Sequence, residues 1–380
     1  MQHFASDNYA SVHPEVMAAI AAANDGPAVA YGDDPVTERL GERVREVFGD
    51  RAVAFPVING TGANVISLMA VTPRWGGVVA SDVAHVNTDE NGAPERVGGL
   101  KVLASPSVDG RLAPDALDRW AGDRGDVHRA QPVVLSITQS TELGTVYSVA
   151  HLKELADAAH ALGMRVHLDG SRLANAAAAL GTGLRELTTD VGVDILSLGA
   201  AKIGGMIGEA VVVLSEPWGE GGATTAPGAP RSAAEAVPFL RKATMQLASK
   251  SRFVSAQLLA VLGEPGSPTG DGLHDGLGEG PSGSPLWLRN AAHANAMAAR
   301  LRAGVESVGA DVVRVTRPTD ANAVFATLPR PVADRLRTDY RFYDWAAGET
   351  PDRVEVRWMC SWDTSEEQVD GFLTALTALL

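Results

Sequence analysis

From residue 52 to residue 214 short apolar runs alternate with amphipathic stretches, and this alternation limits the chain to few folds. Strand candidates fall at 52–57, 77–81, 100–104, 132–138, 163–169, 193–198 and 210–214, with helical stretches at 63–70, 114–120, 150–162 and 173–180 between several of them. Continuous apolar runs suit strands covered on both faces, so the pattern predicts an α/β fold: a mainly parallel sheet with helices on both sides. In such sheets ligands gather beyond the carboxyl ends of the strands. Ahead of this region the sequence predicts a short helix at 14–23, a turn at 31–35 and an amphipathic helix at 37–48 that Gly49 stops. Beyond it, 239–262 reads as one helix carrying Arg241, Lys242, Lys250 and Arg252. A long helix from Leu286, strands near 311–316, 322–327 and 353–359 and a closing helix at 366–379 suggest a smaller C-terminal α/β domain. Two stretches interrupt the pattern: 216–234, rich in Gly, Ala, Pro and Thr, and 263–285, which reads as a flexible Gly-rich insertion. The expected organisation is an N-terminal segment (1–35), a large domain (36–262), the insertion (263–285) and a small domain (286–380).

Two strand ends carry chemistry. Val193-Asp194-Ile195-Leu196-Ser197-Leu198-Gly199-Ala200-Ala201-Lys202 is a buried strand running into a small-residue loop with one lysine. A buried ammonium must pair or lose its proton. The chemistry that wants a neutral, desolvated amine there is Schiff-base formation with a carbonyl. The plainer reading is a lysine that leaves the strand and reaches solvent. Upstream, Arg165-Val166-His167-Leu168-Asp169-Gly170 ends a strand in an acid. Alone this is a turn or a helix cap. Together the two ends offer what pyridoxal phosphate needs, a lysine for its aldehyde and a carboxylate for its ring nitrogen. A third element, Asn59-Gly60-Thr61-Gly62, follows a strand and opens a helix. Its free N–H groups and the helix dipole would favour a phosphate, although an ordinary strand–helix connection looks the same.

Composition narrows the partners. A net charge of −14, with scattered basic residues, repels phosphate backbones and anionic lipid, so neither nucleic acid nor membrane is expected to bind. The single cysteine, Cys360, rules out an intramolecular disulfide framework and a cysteine metal cluster, and no metal site is expected. The start, MQHFASDNYAS, lacks the basic and apolar regions of a signal peptide, and no apolar run is long enough to span a bilayer. The expectation is a cytoplasmic protein.

HLDGSRLANA followed by SLGAAKIGG resembles the low-specificity L-threonine aldolases, in the β-eliminating lyase group of fold-type I pyridoxal-phosphate enzymes. The resemblance runs from FASDNYASVHPEV to RWMCSWDTSEEQVDGF, interrupted at about 216–234 and 263–285. It implies the fold-type I fold and a carbon–carbon lyase that splits L-threonine, L-allo-threonine or related β-hydroxy-α-amino acids into glycine and an aldehyde. Lys202 would carry the cofactor, Asp169 face its ring nitrogen, and Gly60, Thr61 and Gly62 hold its phosphate. His85, in an element similar to the family's, would stack on the ring and relay a proton, with Glu90 orienting it. Arg172 and Arg357 would clamp the substrate carboxylate, a task suited to paired guanidinium donors; Ser6 would meet the same group. Lys242 and Arg252 match a segment that serves the phosphate of a neighbouring subunit, which implies a homo-oligomer, dimer or tetramer, with sites at the interface. The plainer reading of that segment is a solvated charged face. The chain departs from the family at Ala201, where Ser or Thr is usual, at Ile203, and at Glu142, where other branches carry histidine. Two alternatives remain: another pyridoxal-phosphate β-lyase or aminotransferase, and a protein that binds the cofactor without turnover.

Overall fold

A computed structural model describes residues 2–215, 230–269, 283–310 and 312–380. The interruptions expected at 216–234 and 263–285 lie for the most part outside them. The apolar runs form seven strands: β1 (Val53–Val57), β2 (Gly76–Ser81), β3 (Lys101–Ser105), β4 (Gln131–Thr138), β5 (Arg165–Gly170), β6 (Ile195–Leu198) and β7 (Glu209–Val213). Their order across the sheet is β1-β7-β6-β5-β4-β2-β3. All are mutually parallel except β7, which is antiparallel to both its neighbours. The result is the mainly parallel sheet that the alternation predicts.

Burial on both faces follows from the period-2 alternation of the strands. Val79, Leu135, Leu168 and Leu196 pack on one side with Leu40, Val44 and Phe48 of the helix Pro35–Phe48. Their sequence neighbours Val78, Val134 and Ile195 pack on the other with Ala63 and Ile66 of the helix Gly60–Val71.

A second sheet follows, with order β10-β11-β9-β8 and every pairing antiparallel: β8 (Arg314–Val315), β9 (Ala323–Pro329), β10 (Tyr343–Ala347) and β11 (Arg353–Met359). The helix Leu286–Val308 serves both cores. Trp287 and Leu288 are buried with the large sheet, Leu301 and Val305 with the small one. The start of the chain also joins the small sheet: Phe4 packs in its core, and its carbonyl accepts the Met359 amide at 2.9 Å. That tether places residues 5–7 beside β11, which matters for the site below. Among the described residues no helix is long and apolar enough to cross a membrane.

Two expectations need correcting. The span 239–262 is not one helix but two, Ala233–Ala243 and Arg252–Leu262. Between them Met245 takes φ +62°, and the Gln246 and Leu247 amides both turn back to the Arg241 carbonyl. These bonds close the first helix as a capping turn. The start of the supposed insertion is also held. Arg43, fully buried, donates to the carbonyls of Leu262, Ser267 and Pro268 at 2.7–3.0 Å. Residues 263–268 therefore pack against the large domain, because one guanidinium needs their carbonyls to satisfy its buried donors. The rest of that stretch, 270–282, lies outside the described residues.

Candidate active site

The parallel strands β1, β2, β4, β5 and β6 deliver their carboxyl ends to one edge, where Thr138 pairs with Asp169 and Gly170 with Leu198. Strand β7, running the other way, presents its first residue there: Glu209 pairs with Val57 at the end of β1. Around this edge lies a small cavity lined by Gly60, Thr61, Ala63, Asn64, His85, Glu90, Asp169, Ser171, Ser197, Leu198, Gly199, Lys202 and Glu209. Residues from five separate segments thus meet at one point.

Lys202 sits in a single 3-10 turn, Ala201–Ile203, after β6. Of the five lysines it alone is not exposed. Burial pulls its pKa below the ordinary value, as does the charge of Arg172, against the opposing pull of Asp7, Asp169 and Glu209. Gly199 makes the approach possible: a Cβ there would lie 2.7 Å from the Ser171 Cα, so only glycine lets the β6 loop pass the end of β5.

Asp169 is buried, and burial alone would raise its pKa. The charge of Lys202, the Ser171 amide (3.0 Å to Oδ1) and the Asn64 side-chain amide (2.9 Å to Oδ2) outweigh that and keep it ionised. Asn64 also donates to Glu90 at 2.8 Å, and Glu90 Oε1 meets His85 Nδ1 at 2.8 Å. That bond raises the His85 pKa against the opposing effect of burial. The His85 backbone amide is held by Glu142 Oε1 at 2.7 Å. Glu90 and Glu142 are both buried, and burial raises the pKa of each.

Gly60 to Gly62 form the first turn of their helix, with Asn59 as its cap: Asn59 Oδ1 accepts the Gly62 amide at 2.8 Å. A Cβ on Gly62 would fall 2.2 Å from the Gln246 side chain, so glycine is what lets that side chain close on the turn. Gln246 belongs to the loop that closes on Arg241. Arg241 is buried, its Nε and Nη2 have no hydrogen-bond partner in the described residues, and burial lowers its pKa to about 10. Sequence reading passed over this cation in favour of Lys242. A glycine-lined helix N-terminus suits an anion. Gly60 and Thr61 line the cavity with Lys202 and Asp169, and together these groups fit the phosphate, aldehyde and ring nitrogen of pyridoxal phosphate.

The carboxylate-clamp candidates stand together, with one partner the sequence reading missed. Asp7 takes Arg172 in a two-point bond, Oδ2 to Nε at 2.7 Å and Oδ1 to Nη2 at 2.9 Å, and Asn322 adds a third contact at 3.2 Å. Burial would raise the Asp7 pKa, but Arg172 and Lys202 hold it down at about 2. Arg357, on β11, reaches the Ala5 carbonyl at 3.4 Å and lies over the Trp345 ring at 4.9 Å. Burial, and then the charge of Arg172, pull its pKa down to about 10. Arg172 is bonded to the Asp7 carboxylate, whereas Arg357 has no ion-pair partner among the described residues, which leaves its guanidinium able to take an anion. Ser6 Oγ accepts the Asn8 amide at 3.2 Å and caps the turn that carries Asp7. The adjacency of Asp7 to Ser6 in FASDN was the available signal, and only the fold pairs it with Arg172.

Lys242 and Arg252 do not line the cavity. The Lys242 ammonium lies 5.0 Å from the Tyr31 ring centroid; Arg252 donates to the Gly26 carbonyl at 3.3 Å and lies over Phe253.

Below Asp169, His167 is wholly buried between Ser136 (2.9 Å) and Ser197 (3.0 Å), and burial lowers its pKa to about 4. Because the folded value lies below the ordinary 6.5, unfolded chains take up the proton first, so the contribution of the neutral ring disappears as pH falls from 6.5 to 4. In urea titrations the lead of the wild type over His167→Gln should shrink by about 3 kcal/mol across that window. A lead that stays constant with pH would contradict a buried neutral ring.

A model of the family described as β-eliminating lyase matches residues 3–329. The low specificity L-threonine aldolase of a Pseudomonas species is 36% identical over 383 residues, covering 100% of this chain and 98% of that protein. That of Pseudomonas aeruginosa is 37% identical over 370 residues, covering 97% and 95%. Among solved structures, a threonine aldolase of Leishmania major superposes with a TM-score of 0.83 at 24% identity, covering 100% of this chain and 99% of that one. An aspartate aminotransferase of Thermus thermophilus shares the fold more loosely, with a TM-score of 0.61 at 15% identity and coverage of 98% and 89%. The chain belongs to the β-eliminating lyase family, and its cofactor is pyridoxal phosphate.

Proposed function

We propose that this protein is a pyridoxal-phosphate-dependent aldolase that cleaves the Cα–Cβ bond of L-threonine and related β-hydroxy-α-amino acids, releasing glycine and an aldehyde. The observation that carries the reading is the shared cavity of Lys202, Asp169 and His85 beside the paired guanidiniums, in a chain similar along its whole length to low specificity L-threonine aldolases.

Lys202 would hold the cofactor at its aldehyde, Asp169 at its ring nitrogen, and Gly60, Thr61 and Gly62 at its phosphate. When bound, pyridoxal phosphate supplies the electron sink that lets a bond at Cα break. The chain's own residues choose which bond. Arg172 and Arg357 take the substrate carboxylate, and two-point guanidinium contact fixes its orientation as well as its charge. Asp7 keeps Arg172 aimed, and Ser6 holds the turn that carries Asp7. With His85 Nδ1 committed to Glu90, the proton exchanged with the β-hydroxyl is the one at Nε2. Glu142, which lies outside the cavity lining, fixes the His85 backbone. The missing hydroxyl at Ala201 leaves the phosphate to the helix N-terminus.

The same reading makes the protein a cytoplasmic homo-oligomer, dimer or tetramer, that acts on a free amino acid, with Lys242 and Arg252 serving the neighbouring subunit's phosphate. Large apolar side chains exposed around those residues support it: Tyr31, Met206, Ile207 and Met245 are each about half exposed or more. Mixing inactive Lys202→Ala chains with Arg252→Ala chains should restore part of the activity. A monodisperse monomer with full activity would refute shared sites.

The function is tested by aldehyde release from a panel of β-hydroxy amino acids. Release from threonine or allo-threonine supports the aldolase; transfer of the amino group to a keto acid, without aldehyde, supports an aminotransferase. A cofactor-binding protein without turnover would give neither.

A further inference from the structure

The loop that carries Lys202 hangs from three side chains buried around it. Asn290 donates to the Ile203 carbonyl at 2.8 Å, and Gln257 Oε1 accepts the Met206 and Ile207 amides at 2.8 and 3.1 Å. Glu209 Oε2 accepts the Ala200 amide at 2.5 Å, just ahead of the lysine. Asn290 and Gln257 are neutral, and they would suffice for a purely mechanical task. Glu209 is different: it is ionisable and buried, and it lines the same cavity as Lys202. Its place follows from topology, because β7 runs antiparallel and so opens at the edge where its neighbours end.

The charged groups that act on Lys202 from the surrounding elements are Arg172, Asp7, Asp169, Glu209 and His85. Asp7 is spent on Arg172 in its two-point bond, and Asp169 on Asn64 and the Ser171 amide. Glu209 also acts on Lys202, less strongly than Asp7 and Asp169, but its own polar contacts are amides of the lysine loop, so its carboxylate is fixed to the element that carries the lysine.

We infer that Glu209 is a positioning residue for Lys202: it tethers the loop through Ala200, and its carboxylate helps the lysine nitrogen keep its proton. Burial pushes the Glu209 pKa up to about 7, against the opposing pull of the Ala200 amide, the Lys202 charge and the Ala201 amide. A loop residue that only needed a hydrogen-bond acceptor would work equally well as glutamine. Glu209 should not.

The inference rests on Lys202 being the cofactor-bearing amine, and the test separates the two. The full-length protein is loaded with pyridoxal phosphate, and its visible absorbance is titrated with pH. In parallel, cofactor-free protein is labelled competitively with acetic anhydride across pH, and the Lys202 peptide is followed by mass spectrometry. Glu209→Gln keeps an acceptor for Ala200 but removes the charge. Both midpoints should then fall by about one pH unit, which is about tenfold more neutral amine at a given pH. Glu209→Asp keeps the charge and should stay near the wild type; it also serves if the glutamine variant does not fold. Unchanged midpoints in Glu209→Gln, or an equal fall in Glu209→Asp, would overturn the inference. Borohydride reduction of the loaded wild type tests the underlying assignment alone, since an adduct away from Lys202 would sink that first.

Discussion

Lys202→Ala should leave the protein unable to hold pyridoxal phosphate covalently and should lower aldehyde release by roughly three orders of magnitude or more, the scale seen when a covalent catalyst is removed. The expectation follows from where the amine sits. The other four lysines, Lys101, Lys153, Lys242 and Lys250, are exposed, and none is at the carboxyl edge of β6. Burial and Arg172 move Lys202 toward the neutral amine that attacks a carbonyl. The variant should still fold, since alanine at this half-buried position removes no hydrogen bond of the loop. Reduction with borohydride and peptide mapping should place the wild-type adduct on Lys202 and find none in the variant. A reducible adduct on another lysine at wild-type yield would contradict the assignment.

His85→Asn should separate chemistry from binding. The cofactor would keep its link to Lys202, its ion pair with Asp169 and its phosphate contacts; the lost stacking is worth only ~0.5–1.5 kcal/mol. Cofactor retention should therefore be close to normal. Turnover should fall about 10²–10⁴-fold, the usual worth of general acid–base help. The Glu142 contact to residue 85 is made through the backbone, so it survives the substitution and the local turn is kept. Glu142→Gln is the companion variant, because burial raises the Glu142 pKa and its Oε2 has no partner among the described residues. If that variant is crippled while His85→Asn stays active, the proton passes through Glu142 and His85 only stacks.

The large sheet was legible because its signal is local. Each strand of β1 to β7 begins and ends within two residues of the apolar run that marks it, and the helix Leu173–Leu180 has the expected ends. The lysine and aspartate stood out because buried ionisable groups at strand ends are costly enough to need a purpose. What escaped depends on distance along the chain. Asp7 and Arg172 are 165 positions apart, and their pairing follows from Phe4 docking in the small-sheet core. Glu209 reads as the polar start of a strand until the antiparallel sense of β7 turns it toward the lysine loop. The break within 239–262 turns on one positive φ at Met245, a residue type that gives no warning of it. Nothing in the sequence around Arg43 marks it, because its donors are taken up largely by carbonyls more than two hundred positions away. Strand β10 carries too little apolar alternation to be marked, since it is a largely exposed edge.

The central claim is that this site breaks Cα–Cβ and not another bond at Cα. It is tested by the product balance of the full-length, cofactor-loaded protein with L-threonine. The account predicts glycine and acetaldehyde in equal amounts, with the yield lost in Lys202→Ala. Ammonia and a four-carbon keto acid without glycine would mean that the hydroxyl leaves instead, and would contradict it.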